Sequence, residues 1–170
     1  MSRHALIVIA PQKFRDEEYA VPRDILLARG ARVTTASTAA GSCVGKLGMK
    51  AVADIALSDA NAADYDAIIF VGGAGASVFF DDPVAHALAR NLDAAGKIVS
   101  AICIAPTTLA RAGLLRNVNA TAFVSQAEDL KAHGAFYTGA PVEIAARIIT
   151  ANGPEAAEGF GNAVADALGL

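Results

Sequence analysis

Residues 5–10 read Ala5-Leu6-Ile7-Val8-Ile9-Ala10, an unbroken apolar run bounded by Arg3-His4 and by Pro11. A run of this kind suits a strand buried on both faces. Asp16-Glu17-Glu18 then opens a segment with apolar residues at Val21, Ile25, Leu26 and Ala28, and Gly30 closes it. Acids at the front and a glycine stop predict an amphipathic helix, with Pro22 placed in its first turn or at a kink. Ala31 to Ser37 reads as a second strand. Strand, helix and strand within 37 residues make a βαβ unit and imply a parallel sheet.

The same grammar continues along the chain. Gly41 to Leu57 is punctuated by Gly41, Gly45 and Gly48 and reads as a β-excursion or hairpin. Asp66 to Val71 is a buried strand running into Gly72-Gly73-Ala74-Gly75-Ala76-Ser77. Pro83 to Ala95 is a helix stopped by Gly96, and Lys97 to Ile102 is a strand followed by a helix from Pro106 to Ala112. Thr121 to Val124 is predicted as a short strand and Gln126 to His133 as a polar helix. Val142 to Ala151 is strand-like, and Pro154 to Leu168 is a terminal helix with Phe160, Val164, Ala167 and Leu168 on its apolar face. The expected fold is α/β, a mainly parallel sheet with helices on both faces, in one domain over residues 1–170.

Composition narrows the function classes. The 170 residues are 54% hydrophobic and 18% charged, with net charge −3 and mean hydropathy +0.42. A disordered chain or a nucleic-acid binder with a basic surplus does not look like this. Charges, Gly or Pro interrupt every apolar run short of the ~18 residues of a spanning helix, so no membrane partner is expected. The apolar start is too short for a signal peptide, and the expected location is cytoplasmic. Cys43 and Cys103 are expected to be free thiols. With no CxxC pair and with His4, His86 and His133 scattered, neither a metal site nor a cofactor is expected.

Ligands in open α/β sheets collect at the carboxyl ends of the strands. Cys103 directly follows one strand and precedes a helix, between Ala101 and Ala105, which leave room for a tight turn. A helix N-terminus and nearby N–H groups favour thiolate and lower a cysteine pKa; the alternative is a buried thiol acting as a small hydrophobe. Gly72-Gly73 follows another strand and is either an ordinary tight turn or an anion-binding nest, without the spacing of a dinucleotide or P-loop motif. Glu18 is one acid more than capping needs, since Asp16 and Glu17 can fill that role. By position alone it is a solvated helix-start carboxylate. Following the first strand, it also belongs at the sheet edge of Cys103, where a carboxyl held partly protonated can exchange a proton with the thiol. His4 lies at the opposite edge, His86 on an exposed helix position, and His133 at a helix end; none reads as a catalytic base. Cys43 reads as structural or incidental.

Ala101-Ile102-Cys103-Ile104-Ala105-Pro106, Phe14-Arg15-Asp16-Glu17-Glu18 with Pro22, Phe70-Val71-Gly72-Gly73, and Asn152-Gly153-Pro154 with Phe160 together resemble the ThiJ/PfpI superfamily. That superfamily includes the parkinsonism-associated protein deglycase and the Pfp-type intracellular peptidases. The resemblance implies a flavodoxin-like three-layer sandwich with a small β-excursion and a homodimer. It implies Cys103 as nucleophile at a strained elbow, Glu18 as its protonated partner, and the backbone N–H groups of Gly72, Gly73 and Ile104 around an anion pocket. Peptidase-type members carry His directly after the nucleophile, where Ile104 stands. Deglycase-type members carry His about twenty residues later, where this chain reads Thr121-Ala122-Phe123-Val124. Without either histidine, cleavage of a stable amide lacks a general acid other than Glu18, whereas a thiolate adds readily to an activated dicarbonyl. The expected function is therefore a cofactor-free Cys–Glu enzyme acting on a small reactive carbonyl or glycated substrate. The alternatives are an oxidative-stress sensor or chaperone working through Cys103 oxidation and, less favoured by the missing histidines, a peptidase or amidase.

Overall fold

The computed structural model describes residues 2–170. Its main sheet has seven strands in the order Val142–Ala145, Ile148–Ala151, Ile98–Ile102, Ala67–Phe70, His4–Val8, Arg32–Ser37 and Ile55–Ala56. Every neighbouring pair is parallel except the outermost hairpin, Val142–Ala145 against Ile148–Ala151. The residues of the first strand and the two that follow it alternate between two cores. Ala5, Ile7 and Ile9 face one with Leu26, Phe160 and Val164, from the Asp16–Ala28 and Ala157–Ala167 helices. Leu6, Val8 and Ala10 face the other with Leu88, Leu92, Leu109 and Leu130, from three further helices. The result is a flavodoxin-like three-layer sandwich, and burial on both faces explains why the inner strands are continuous apolar runs.

Helix ends follow their local chemistry. Asp82 caps Pro83–Ala94 by accepting the Val84 N–H at 3.0 Å. Gly30, at φ +92°, ends the first helix: its N–H donates to Leu27 O, and that of Ala31 donates to Leu26 O, a left-handed stop that favours glycine. Pro22 sits within Asp16–Ala28 rather than in its first turn, and having no N–H it leaves the Glu18 carbonyl without its helical donor. A Cβ built on Gly161 of the last helix would lie 3.0 Å from Pro22 Cα. These two residues therefore let the helices on this face touch backbone to backbone.

Several boundaries differ from expectation. Val142 to Ala151 is not one strand but a hairpin turning at Ala146, which has φ +54°. The strand expected at Thr121 is Asn119–Ala120, followed by a 3-10 turn at Val124–Gln126. The helices expected from Pro106 and Gln126 are shorter, Pro106–Arg111 and Ala127–Ala132. Ala157–Ala167 is preceded by a 3-10 turn, and it buries Ala165 where Ala167 was expected. The glycine-punctuated excursion is a hairpin, Gly41–Gly45 with Lys50–Ala53, joined by Gln12–Phe14 into a second sheet of three strands. Asp16 and Glu17, expected as capping acids, do other work. Asp16 accepts the N–H groups of Leu47 and Met49 at 3.1 and 3.0 Å, tying the excursion to the helix start. Glu17 holds the Arg15 guanidinium in a two-point pair at 3.0 Å for each bond. Among the described residues, no helix is long and apolar enough to cross a membrane.

Candidate active site

Three chain segments meet at the carboxyl edge of the sheet, where the strands Ile98–Ile102, Ala67–Phe70 and His4–Val8 end. Cys103 leaves the first of these at φ +64°, a left-handed conformation that costs a side-chain-bearing residue about 1–2 kcal/mol. Two hydrogen bonds hold it there. Its N–H donates to Ala151 O at 2.9 Å, and its carbonyl accepts the Phe123 N–H at 2.8 Å. The next turn closes with Ala105 N–H on Ile102 O at 3.1 Å, and the fully buried Ala101 and Ala105 leave space for it. The strained elbow sets Cys103 at the sheet edge, packed against the core and with 9% of its surface exposed.

Glu18 comes from the first turn of the Asp16–Ala28 helix. Position alone made it a solvated carboxylate; the structure makes it fully buried, at 0% exposure, because the following turns pack the helix down onto the sheet. Neither carboxyl oxygen has a hydrogen-bond partner of normal geometry among the described residues. Burial pushes its pKa from the ordinary 4.5 up to about 7, tempered by the nearby Cys103 thiol, by Arg15 and by the Gly72 N–H. A Cβ built on Gly72 would sit 2.4 Å from Glu18 Oε1, 2.5 Å from Cys103 Cβ and 2.7 Å from Ile102 O. Only a glycine at 72 lets the Glu18 carboxyl and the Cys103 side chain share one compartment, within about 5 Å of each other.

The thiol reverses the expected direction. Burial first and the Glu18 charge second push Cys103 from 9.0 up to about 11, against the opposing pull of the Gly73 and Ile104 N–H groups. The helix that was to lower it has only six residues and starts at Pro106, beyond two intervening residues. A short helix at that remove cannot offset a carboxylate in the same dry pocket. Between about 7 and about 11 the pair therefore carries one negative charge and one proton. Passing that proton from Sγ to Glu18 makes a thiolate without changing the charge of the pocket.

The backbone groups divide their roles. Gly73 and Ile104 present N–H groups to Cys103, whereas the Gly72 N–H lies toward Glu18 and the Gly72 carbonyl accepts the Arg15 N–H at 2.9 Å. Gly73 is at φ +93°, and a Cβ there would lie 2.4 Å from Arg15 N. The Lys13–Arg15 segment thus presses directly on the glycine turn. The histidines lie elsewhere: His4 bonds Thr34 and the Asp64 carbonyl, His86 bonds the Phe80 carbonyl and is half-buried rather than exposed, and His133 pairs with Asp129. Cys43 is buried in the excursion. No group of three or more His, Cys, Asp or Glu side chains among the described residues is placed to hold a metal.

Two contributions escaped the sequence reading. Phe123 is hydrogen-bonded to the Cys103 carbonyl, yet its side chain is 44% exposed; its spacing from Cys103 marked the position, but nothing marked its exposure. The fixing of Cys103 by Ala151 is a backbone bond from the neighbouring strand, which no side-chain signal announces.

The DJ-1/PfpI family model matches residues 3–167. An uncharacterized protein of Methanocaldococcus jannaschii is 39% identical over 166 residues, covering 96% of this chain and 81% of that protein. The glutathione-independent glyoxalase DJR-1.2 of Caenorhabditis elegans is 29% identical over 166 residues, covering 98% and 89%. A solved ThiJ/PfpI domain protein from Brachyspira murdochii superposes with TM-score 0.96 at 32% identity, covering 99% of this chain and 97% of that one. With its sheet order, its elbow cysteine and its match from end to end, this chain belongs to the DJ-1/PfpI family.

Proposed function

We propose that the protein is a cofactor-free Cys–Glu enzyme that acts on reactive carbonyls, in the manner of a glyoxalase or deglycase. The observation that carries this reading is the buried Glu18 carboxyl, poised at about 7 against a thiol on a strained elbow. A general acid/base works best with a pKa near the working pH. On an α-oxoaldehyde, Glu18 carboxylate takes the Sγ proton as sulfur bonds to the aldehyde carbon and then gives it to the new alkoxide oxygen, so that a hemithioacetal forms and Glu18 is a carboxylate again. The carbonyl oxygen takes up charge as the bond forms, and the N–H groups of Gly73 and Ile104 are the donors at hand to meet it. Glu18 then takes the proton from the former aldehyde carbon and gives it to the neighbouring carbonyl oxygen, forming an enediol. It next takes the hydroxyl proton on the sulfur-bearing carbon and gives it to the neighbouring carbon, leaving a 2-hydroxy thioester. Water hydrolyses the thioester and releases a 2-hydroxy acid and the thiol, so the net change is the addition of one water.

Purified protein is expected to convert methylglyoxal to lactate without glutathione, and Cys103→Ser is expected to abolish the reaction. Absence of turnover, with mild peroxide adding two oxygens at Cys103 by intact mass, would transfer the site to redox sensing. Peptide hydrolysis that depends on Cys103 would overturn both readings. Among the described residues none of the three histidines lies at the elbow to serve it.

A further inference from the structure

A cavity of about 590 Å³ lies against the segments that hydrogen-bond the Cys103 backbone, and the carbonyl chemistry alone gives it no role. Ala122, Phe123, Val124, Tyr137, Pro154 and Glu155 are among the residues that line it. Two bonds anchor it to Cys103. The Phe123 N–H donates to the Cys103 carbonyl at 2.8 Å, and the Cys103 N–H donates to Ala151 O, one residue before the Asn152–Glu155 wall. The aromatic side walls are fixed as well: Tyr137 donates its hydroxyl to Ala122 O at 3.2 Å, and Gly153 lies against the Phe123 ring, where a Cβ would be 3.9 Å from Cδ2. Phe123 and Val124 keep 44% and 72% of their surface, a costly exposure for apolar side chains next to a reactive group.

The size and lining specify an occupant. The volume falls in the range of sites for sizeable small molecules, far beyond what a three-carbon dicarbonyl fills. Among the described residues Glu155 is the sole charged one lining it, so an anionic substituent would meet a carboxylate there. Resting on the carbonyl reading of Cys103, we propose that this cavity is the substituent subsite of the reaction. It takes α-oxoaldehydes bearing an uncharged aromatic or bulky apolar group, and Phe123 determines the preference by stacking against that group. The aldehyde carbon lies at Sγ while the substituent lies along Phe123 and Tyr137.

The test compares kcat/KM for phenylglyoxal and methylglyoxal. The wild-type protein is expected to favour phenylglyoxal by about tenfold or more, as an apolar pocket discriminates by added apolar groups. Phe123→Ala is expected to lower that ratio about tenfold, and Phe123→Leu, which keeps apolar volume, by about threefold or less. A wild-type preference for methylglyoxal, or an unchanged ratio in Phe123→Ala, overturns the subsite while the carbonyl reading stands. Turnover of neither compound sinks the carbonyl reading instead. The subsite is then read separately by titrating the wild-type protein with acetophenone. Amide shifts confined to Ala122–Val124, Tyr137 and Gly153 uphold it, and shifts elsewhere or none overturn it.

Discussion

Glu18→Gln is expected to gain stability relative to the wild type as pH rises, while losing its chemistry. In the folded chain the Glu18 carboxyl holds its proton up to about 7, against an ordinary 4.5. Below 4.5 folded and unfolded chains are both protonated, and the group contributes nothing to the balance. Between 4.5 and 7 the unfolded chain has released the proton and the folded chain still binds it, so stability falls as pH rises. Above 7 both are ionised, and the full cost of a buried, unpartnered carboxylate is in place. At about 1.4 kcal/mol for each tenfold change in proton affinity, that cost is about 3 kcal/mol. Gln at the same place does not titrate, although its amide finds the same unpartnered surroundings and carries a constant penalty. The difference between variant and wild type is therefore the reading: it should grow by about 3 kcal/mol from about pH 4 to about pH 8. For a chain of this size that corresponds to roughly 10 °C in Tm. Cys103, raised from 9.0 to about 11, adds its own loss of stability only above that window. Urea unfolding of both proteins across the range measures it. Parallel stability curves would show that Glu18 titrates normally, and the reasoning about the site would fail with them.

Further outcomes follow from the same geometry. In a Cys43→Ser background, alkylation of Cys103 should rise with a midpoint near 7 as the pair loses its first proton, and again toward 11. Glu18→Gln should replace both with one midpoint about two pH units below 11, since a like charge about 5 Å away is worth about 3 kcal/mol at an effective dielectric of 20; an inflection persisting near 7 would assign that proton elsewhere. Gly72→Ala should cut turnover at least about a hundredfold, because its Cβ falls where Glu18 Oε1 and Cys103 Cβ already are; near-normal kcat in a folded variant would contradict the shared compartment. Asp16→Ala should release the Leu47 and Met49 amides, seen as faster hydrogen exchange there, with a stability loss of about 1–3 kcal/mol. Unchanged protection would show that the excursion is held by other contacts.

The layer structure was legible because burial on both faces writes itself as unbroken apolar runs, and the Gly30 and Gly96 stops fall where the helices end. The Val142–Ala151 turn was not legible because Ala146 and Arg147 carry no glycine, proline or asparagine to mark it. Gln12–Phe14 is a strand only because Gly41–Gly45 lies beside it, a tertiary cause that local sequence does not encode. At the site, the sheet-edge rule located Cys103, Gly72-Gly73 and Glu18 together. It did not show that Glu18 is buried, that Gly72 faces the carboxyl, or that the thiol is pushed up. Each depends on which neighbours exclude water, and a short helix read from sequence was credited with an electrostatic strength that six residues do not have.

The scarcity of titratable groups at the elbow also selects among reactions. Cleaving an amide requires a proton delivered to a poor leaving nitrogen and another taken from water, and enzymes commonly meet this with a histidine beside the nucleophile. Here the compartment holds a thiol, a carboxyl and backbone donors, with one proton shared between the two acids over the physiological range. Transfer of that proton from sulfur to carboxyl separates no charge, so a dry pocket does not oppose it. The same carboxyl can then carry a proton between adjacent carbons of a bound dicarbonyl, because the acceptor site lies within the substrate itself. Isomerisation of a thiol adduct thus moves only protons that the adduct already carries and needs one base to shuttle them, the role proposed for Glu18. The cost, about 3 kcal/mol of buried carboxylate, is concentrated at the pair of residues that the proposed reaction uses.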